Sequence, residues 1–180
     1  MPVDDISQSN HSPKSLIKNE KWSILVRLFH WIGALFLIAA YFTAEILHNI
    51  GIHKAIGVSF LLWTIARLLN RLVTTAPANV PMPKWQTAIA HATHTGLYLA
   101  MFAMPMTGLM MSMYAGRETD VFGLFSIPVL VTPNGEMAGV MNGLHTDVWW
   151  VILLILVVMH ILAALQHQFI KKDGLINRMR

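Results

Sequence analysis

The chain has 180 residues, of which 55% are hydrophobic and only 12% charged, and its formal net charge is +4 at pH 7. This composition excludes an ordinary soluble domain and indicates an integral membrane protein. The absence of cysteine excludes disulfides, iron–sulfur clusters, thiolate zinc sites and covalently attached haem. The basic residues flank apolar runs instead of forming one patch, so we predict no nucleic-acid partner.

The first 21 residues are polar and contain no apolar signal-peptide core. We predict that residues 1–21 form a flexible cytoplasmic tail, in which His11 is solvated. Residues 22–180 then form one transmembrane domain.

Four apolar stretches are long enough to cross a bilayer as helices, which takes about 20 residues each. We place them near residues 25–46, 52–72, 88–114 and 147–170, which predicts an all-α, integral membrane four-helix bundle. Arg67 and Arg71 lie close enough to the end of the second stretch to snorkel, and Pro105 predicts a kink in the third. We expect residues 115–146, which are rich in turn residues, to cap one end of the bundle.

The positive charges orient the bundle. Four spans place 11 of the 13 basic residues on one side: Lys14, Lys18, Lys21, Arg27, Arg67, Arg71, Lys84, Lys171, Lys172, Arg178 and Arg180. By the positive-inside rule this side, with both termini, is cytoplasmic. The periplasmic side keeps only Lys54 and Arg117, beside five acids: Glu45, Glu118, Asp120, Glu136 and Asp147.

Histidines recur near the ends of the apolar stretches, and an ionisable side chain inside a membrane span indicates a functional site. A helix rises about 1.5 Å per residue, so His30 and His160 lie at one depth, near the cytoplasmic side. His53 and His145 lie at another, near the periplasmic side. Each pair could hold one haem iron through two imidazoles.

Other histidines remain at the cytoplasmic edge. His94 and His167, with Lys84 nearby, suit a quinone head group that needs hydrogen-bond donors and a proton source. His91 shares a face with His94, and the sequence leaves open which of the two is functional. A copper site among the 12 methionines and a haem-free structural or transport protein are further alternatives.

The residues together resemble bacterial cytochrome b561. The resemblance runs from about residue 22 to the C-terminus and is carried by these stretches: Val26–Trp31 (VRLFHW), Ile52–Gly57 (IHKAIG), Ala66–Leu68 (ARL), Ala90–His94 (AHATH), Tyr98, Pro105–Gly108 (PMTG), Phe122–Phe125 (FGLF) and His160–His167 (HILAALQH). Two departures from the family pattern stand out. His145 and His160 are 15 residues apart where the family commonly has 14, and Gln168 replaces a second histidine.

The resemblance implies a multi-pass protein of the bacterial inner membrane with two haems b, held by His30 with His160 and by His53 with His145. It places the quinone-side histidines at His94 and His167. One branch of the family is similar to a superoxide oxidase that reduces ubiquinone, and in that case we expect Lys54 and Arg117 to steer superoxide. Related members are quinone-linked electron carriers for a partner dehydrogenase or hydrogenase, and the acidic periplasmic face would suit docking of a basic partner.

Overall fold

A computed structural model of the chain describes residues 21–77 and 82–180. Within these residues it contains four helices long and apolar enough to cross a membrane: α1 (Ile24–Ile46), α2 (Ile50–Val73), α3 (Lys84–Tyr114) and α4 (Gly135–Lys171). The predicted helical membrane bundle is therefore confirmed. Residues 1–20 of the predicted tail lie outside the described residues.

Side-chain caps explain where three of the helices begin. Ser23 Oγ accepts a hydrogen bond from the Val26 amide, Asn49 Oδ1 from the Ile52 amide and Asn134 Oδ1 from the Met137 amide. Such caps satisfy N–H groups that have no partner in the first turn of a helix.

The fourth helix is longer than the sequence predicted. We expected residues 115–146 to be a connection, but α4 begins at Gly135. Gly139 and Gly143 favour turns locally, whereas packing of this segment against α3 keeps it helical. His145 therefore lies inside a helix, within a π-helical turn, Leu144–Trp149; a second π turn, Gln166–Lys171, ends α4.

The connection between α3 and α4 contains a small antiparallel hairpin that we did not predict, formed by β1 (Thr119–Val121) and β2 (Phe125–Ile127). Gly116, with a φ of 68°, ends α3 in the left-handed conformation that favours glycine. The Arg117 amide then bonds the Ser112 carbonyl. β1 packs against α2, which closes this end of the bundle.

The helices pack in sequence order, α1 on α2, α2 on α3 and α3 on α4. Helices α1 and α4 meet through aromatic rings, such as Tyr41 stacked on Trp150 at 5.5 Å.

We call the end of the bundle that carries the β-hairpin the hairpin end, and the opposite end the terminal end. At the terminal end a short 3-10 helix, Ile176–Met179, folds back onto α1. The indole of Trp31 donates to the Met179 carbonyl at 2.8 Å.

Candidate functional site

At the hairpin end, His53 of α2 faces His145 of α4. Their ring centroids are 6.1 Å apart and the ring planes make an angle of 79°. The Nδ1 atom of His53 lies 2.9 Å from the Ala40 carbonyl, and that of His145 lies 2.8 Å from the Met104 carbonyl. A carbonyl only accepts, so both rings carry their proton on Nδ1, which leaves both Nε2 lone pairs free for a metal.

The two rings border a cavity of about 340 Å³. Its walls are mostly apolar and come from all four helices; they include Leu37, Val58, Pro105 and Leu153. Gly57 lines it as well, and a Cβ at Gly57 would meet no atom within 4 Å. An apolar cavity of this size with a few convergent polar groups is typical of a cofactor site.

At the terminal end three histidines converge. His30 of α1 lies 6.0 Å from His160 of α4, measured between ring centroids, and His94 of α3 lies 5.5 Å from the same His160 ring. We expected His94 to serve a separate site, but the structure brings it next to a histidine of the predicted haem pair.

Arg67 of α2 extends into this histidine cluster. Its guanidinium donates to the Phe29 carbonyl at 3.3 Å, approaches Nδ1 of His30 at 3.3 Å and lies over the Tyr98 ring at 5.7 Å. The sequence predicted that this side chain snorkels out of the bundle. In the structure Arg67 is half-buried, and a carbonyl, an imidazole and an aromatic face contact its guanidinium on the side of the bundle.

Two imidazoles are a donor set that haem iron takes, and the hairpin-end pair fits it. At the terminal end Arg67 only donates, so Nδ1 of His30 accepts and the neutral ring carries its proton on Nε2; that pair fits an iron only once Arg67 has moved away from His30. Imidazole nitrogens bind first-row metals at about 2 Å, so two imidazoles on one iron have centroids roughly 6 Å apart, close to the 6.0 and 6.1 Å of the two pairs. At the hairpin end, the free Nε2 atoms of His53 and His145 and the adjacent cavity also suit a haem. A small cavity of about 20 Å³ lies beside Phe29, Arg67 and Tyr98, and none of the three histidines lines it.

His167, near the end of α4, contacts the carboxylate of Asp173. Its Nδ1 lies 2.5 Å from Oδ2 of Asp173, and the other carboxylate oxygen accepts from the Leu175 amide. Only 7% of His167 is exposed. The sequence analysis did not identify Asp173 as the partner of His167. The sign that it could have used is an acidic residue six positions after His167. Lys84, also predicted near a quinone, is exposed as the first residue of α3.

Lys54 and Arg117 come together at the hairpin end. Lys54 lines the cavity beside His53, and its ammonium donates to the Glu118 carbonyl at 2.8 Å. Arg117, exposed after α3, lies close enough to Lys54 to interact electrostatically. The cavity therefore has two cations near its rim.

Known proteins resemble this chain in sequence. The family model of prokaryotic cytochrome b561 matches residues 21–180. The chain is 29% identical to cytochrome b561 homolog 2 of Escherichia coli (strain K12), over 89% of this chain and 91% of that protein. It is 30% identical to cytochrome b561 homolog 1 of the same organism, over 83% and 91%. It is 28% identical to the probable superoxide oxidase CybB of Yersinia pestis, over 89% and 96%.

Proposed function

Because this chain belongs to the prokaryotic cytochrome b561 family, whose members are membrane electron-transfer proteins that bind haem b, we propose that it holds two haems b. His30 and His160 hold one, and His53 and His145 hold the other. One observation carries the proposal: two histidine pairs, at opposite ends of one bundle, each have the ring spacing that a shared iron requires. Bound haem supplies reversible one-electron chemistry at each end.

The basic residues indicate which of the two pairs lies at which face of the membrane. The positive-inside rule makes the terminal end cytoplasmic, because Arg27, Arg67, Arg71 and the C-terminal basic residues gather there. The hairpin end is then periplasmic. If each histidine pair holds a haem, two imidazoles would occupy its iron and would leave no site for oxygen to bind, so the donor and the acceptor would exchange electrons with the haems at the two ends of the bundle.

We propose superoxide as the periplasmic donor. Lys54 borders both His53 and the cavity, and with Arg117 it provides local positive potential that draws in a small anion. The relative from Yersinia pestis bears the name probable superoxide oxidase. Loss of one electron converts superoxide to oxygen, and the oxygen leaves uncharged.

Ubiquinone is the proposed acceptor at the cytoplasmic end. Two superoxide ions supply two electrons, and the quinone takes up two protons to become the quinol. His94 stands next to His160 and offers a hydrogen-bond donor to a quinone carbonyl. Lys84 is exposed to the aqueous phase at this end, and the buried His167 is the proposed proton source, its ring oriented by the Asp173 carboxylate.

A non-catalytic carrier that links quinone to a partner dehydrogenase or hydrogenase is the second candidate. Five exposed carboxylates favour it, because an acidic face attracts a basic protein partner: Glu45, Glu118, Asp120, Glu136 and Asp147. The same face repels superoxide outside the immediate reach of Lys54 and Arg117.

The deciding experiment mixes the oxidised, purified protein with superoxide in the presence of a ubiquinone analogue and follows haem absorbance and quinol formation. We expect reduction faster than that of a bis-imidazole haem in the same detergent, with superoxide dismutase abolishing it. If the protein is reduced no faster than that haem, the oxidase proposal fails and the carrier function replaces it.

A further inference from the structure

The β-hairpin exposes apolar side chains that the proposed function does not use. Phe122, Leu124 and Phe125 all lie at the surface, and Leu124 has 80% of its area exposed. Leu130, which follows β2, is exposed as well. The stretch from residue 121 to residue 134 contains no charged residue. An exposed apolar patch of this kind marks a surface that contacts a protein or a membrane.

The turn of the hairpin holds Phe122 in an unfavourable backbone conformation. The Leu124 amide donates to the Val121 carbonyl at 3.0 Å, and the two residues between them, Phe122 and Gly123, have φ of 55° and 70°. Glycine, asparagine and aspartate are the usual residues of such a turn. Phenylalanine is strained there because of its Cβ, and strain of this kind indicates that the residue has a function.

Contacts with α2 hold the hairpin in place. The side chains at both ends of β1 are buried, and β1 packs against α2. The Lys54 ammonium donates to the Glu118 carbonyl at 2.8 Å, directly before β1. Within the hairpin, Asp120 Oδ2 accepts from the Gly123 amide at 2.9 Å. The inner face of the hairpin is therefore fixed, and the exposed apolar residues project from a defined support.

The length of α2 places the hairpin at the edge of the bilayer. This helix has 24 residues and rises about 36 Å, whereas the hydrocarbon core is about 30 Å thick. Each end of α2 therefore extends only a few ångström past the core. Because Lys54 lies in the second turn of α2, the hairpin that it contacts lies at the depth of the lipid headgroups. Ile50 and Ile52, at the start of α2, are exposed at the same depth, as on a surface that faces lipid.

We propose that the tip of the hairpin, Phe122–Phe125, is a membrane anchor whose apolar side chains insert between the phospholipid headgroups of the leaflet at the hairpin end. Aromatic side chains are enriched at this depth of membrane proteins. A basic protein partner would instead contact the acidic residues of this end, because the tip offers it no charge. Since Lys54 lines the cavity as well as contacting the hairpin, the anchor also fixes the rim of the cavity.

The test uses the absence of native cysteine. Leu124→Cys is labelled with a small fluorophore, and the full chain is placed in nanodiscs of phosphatidylcholine and phosphatidylglycerol, which leave both faces accessible. A lipid with a nitroxide near its headgroup quenches fluorophores at the bilayer surface, and iodide quenches those in water. We expect several-fold stronger quenching by the nitroxide lipid at Leu124→Cys than at Glu136→Cys, an exposed position in the first turn of α4 at the same end. Phe125→Cys gives the same comparison if a label at residue 124 disturbs folding.

Phe122→Gly, in the labelled Leu124→Cys chain, tests the strained residue itself. Glycine relieves the backbone strain but removes the ring, so we expect iodide to quench the label several-fold more strongly than in the parent. His48→Gly is the matched control, because exposed His48, between α1 and α2 at the same end, also has a positive φ, of 50°. This change relieves comparable strain without removing an apolar ring, and it should leave the quenching unchanged.

Equal quenching by the nitroxide lipid at Leu124→Cys and Glu136→Cys would overturn the proposal. Full access of iodide to the label at residue 124 would do the same, because the tip would then face water and be free for a soluble partner. Unchanged quenching in Phe122→Gly would also contradict the anchor, since the strained ring would then have no part in holding the tip in the membrane.

Discussion

Gly108 of α3 lies directly against the ring of His145. A Cβ at this position would come within 2.9 Å of Cε1 and 3.1 Å of Nδ1 of that ring. Real Cβ contacts are not this short, so only glycine lets the His145 ring sit against α3 and reach the Met104 carbonyl.

We therefore expect Gly108→Ala to displace the His145 ring and to lower occupancy of the hairpin-end haem several-fold, because overpacking of this kind costs about 1–3 kcal/mol. The terminal-end haem should stay. Haem content and the spectrum of the purified protein measure both effects.

Gly139→Ala is the control for this change. Gly139 also lies in a helix, but a Cβ there would meet no atom within 4 Å, and alanine is the better helix former by about 1 kcal/mol. Full haem content in Gly108→Ala would mean that His145 is not held as the structure indicates.

The histidine pairs should behave as two separate units. His30→Ala or His160→Ala should remove the terminal-end haem, and His53→Ala or His145→Ala the hairpin-end haem, because each haem would lose one of the two imidazoles proposed to hold it. A pyridine haemochrome assay should give two haems per wild-type chain and one per variant, with electron paramagnetic resonance assigning the remaining one. Exposed His48→Ala is the control and should retain two.

His94 is an alternative to His30 as the partner of His160 at the terminal end. It lies nearer to the His160 ring than His30 does, at 5.5 Å against 6.0 Å. If His30→Ala keeps its terminal-end haem while His94→Ala loses it, His94 is the ligand and His30 takes over the quinone-side role.

Charge reversal at the cavity rim should slow the reaction with superoxide. We expect Lys54→Glu or Arg117→Glu to lower the second-order rate of haem reduction by superoxide roughly tenfold at low salt, and less at high salt, since salt screens steering. Stopped-flow absorbance measures the rate. Oxidation of the reduced protein by quinone is the internal control. Equal rates in wild type and variants would remove both residues from the proposed steering.

The contact of His167 with Asp173, at the terminal end, should affect the reduction of quinone. Asp173→Asn removes the charge that orients the imidazole, and we expect quinone reduction to slow several-fold while reduction by superoxide is unchanged. His167→Ala and His94→Ala should act in the same direction. Single-turnover mixing of the reduced protein with quinone measures this step.

Asp173→Glu is the matched variant for Asp173→Asn, because it keeps the carboxylate. Recovery of quinone reduction in Asp173→Glu would assign the effect to charge. Equal slowing of both variants, with lowered thermal stability, would instead assign Asp173 a role in ending α4, where its Oδ1 accepts from the Leu175 amide.

The spacing of His145 and His160 shows how far sequence reasoning reaches. A regular helix turns about 100° per residue, so 15 residues leave the two side chains roughly 60° apart. The π-helical turn Leu144–Trp149 winds less per residue and brings both rings back towards one face. The sequence shows the 15-residue spacing of His145 and His160, but it does not show the π-helical turn that compensates for this spacing. That turn depends on the packing of α4 against α3.

The sequence by itself determined the four spans, the clustering of basic residues at one end and the depth of each histidine. These follow from hydropathy and from the fixed rise of a helix, which are local properties of the chain. Only the tertiary structure decided that α4 starts at Gly135, that Arg67 points inward to His30, that His94 joins His160 and that Asp173 meets His167. The contacts of Arg67 and His94 depend on how the helices are rotated against one another, and interhelical contacts set that rotation. The start of α4 depends on the packing of its first turns against α3, and Asp173 meets His167 because the chain reverses at Lys172, whose φ is 53°.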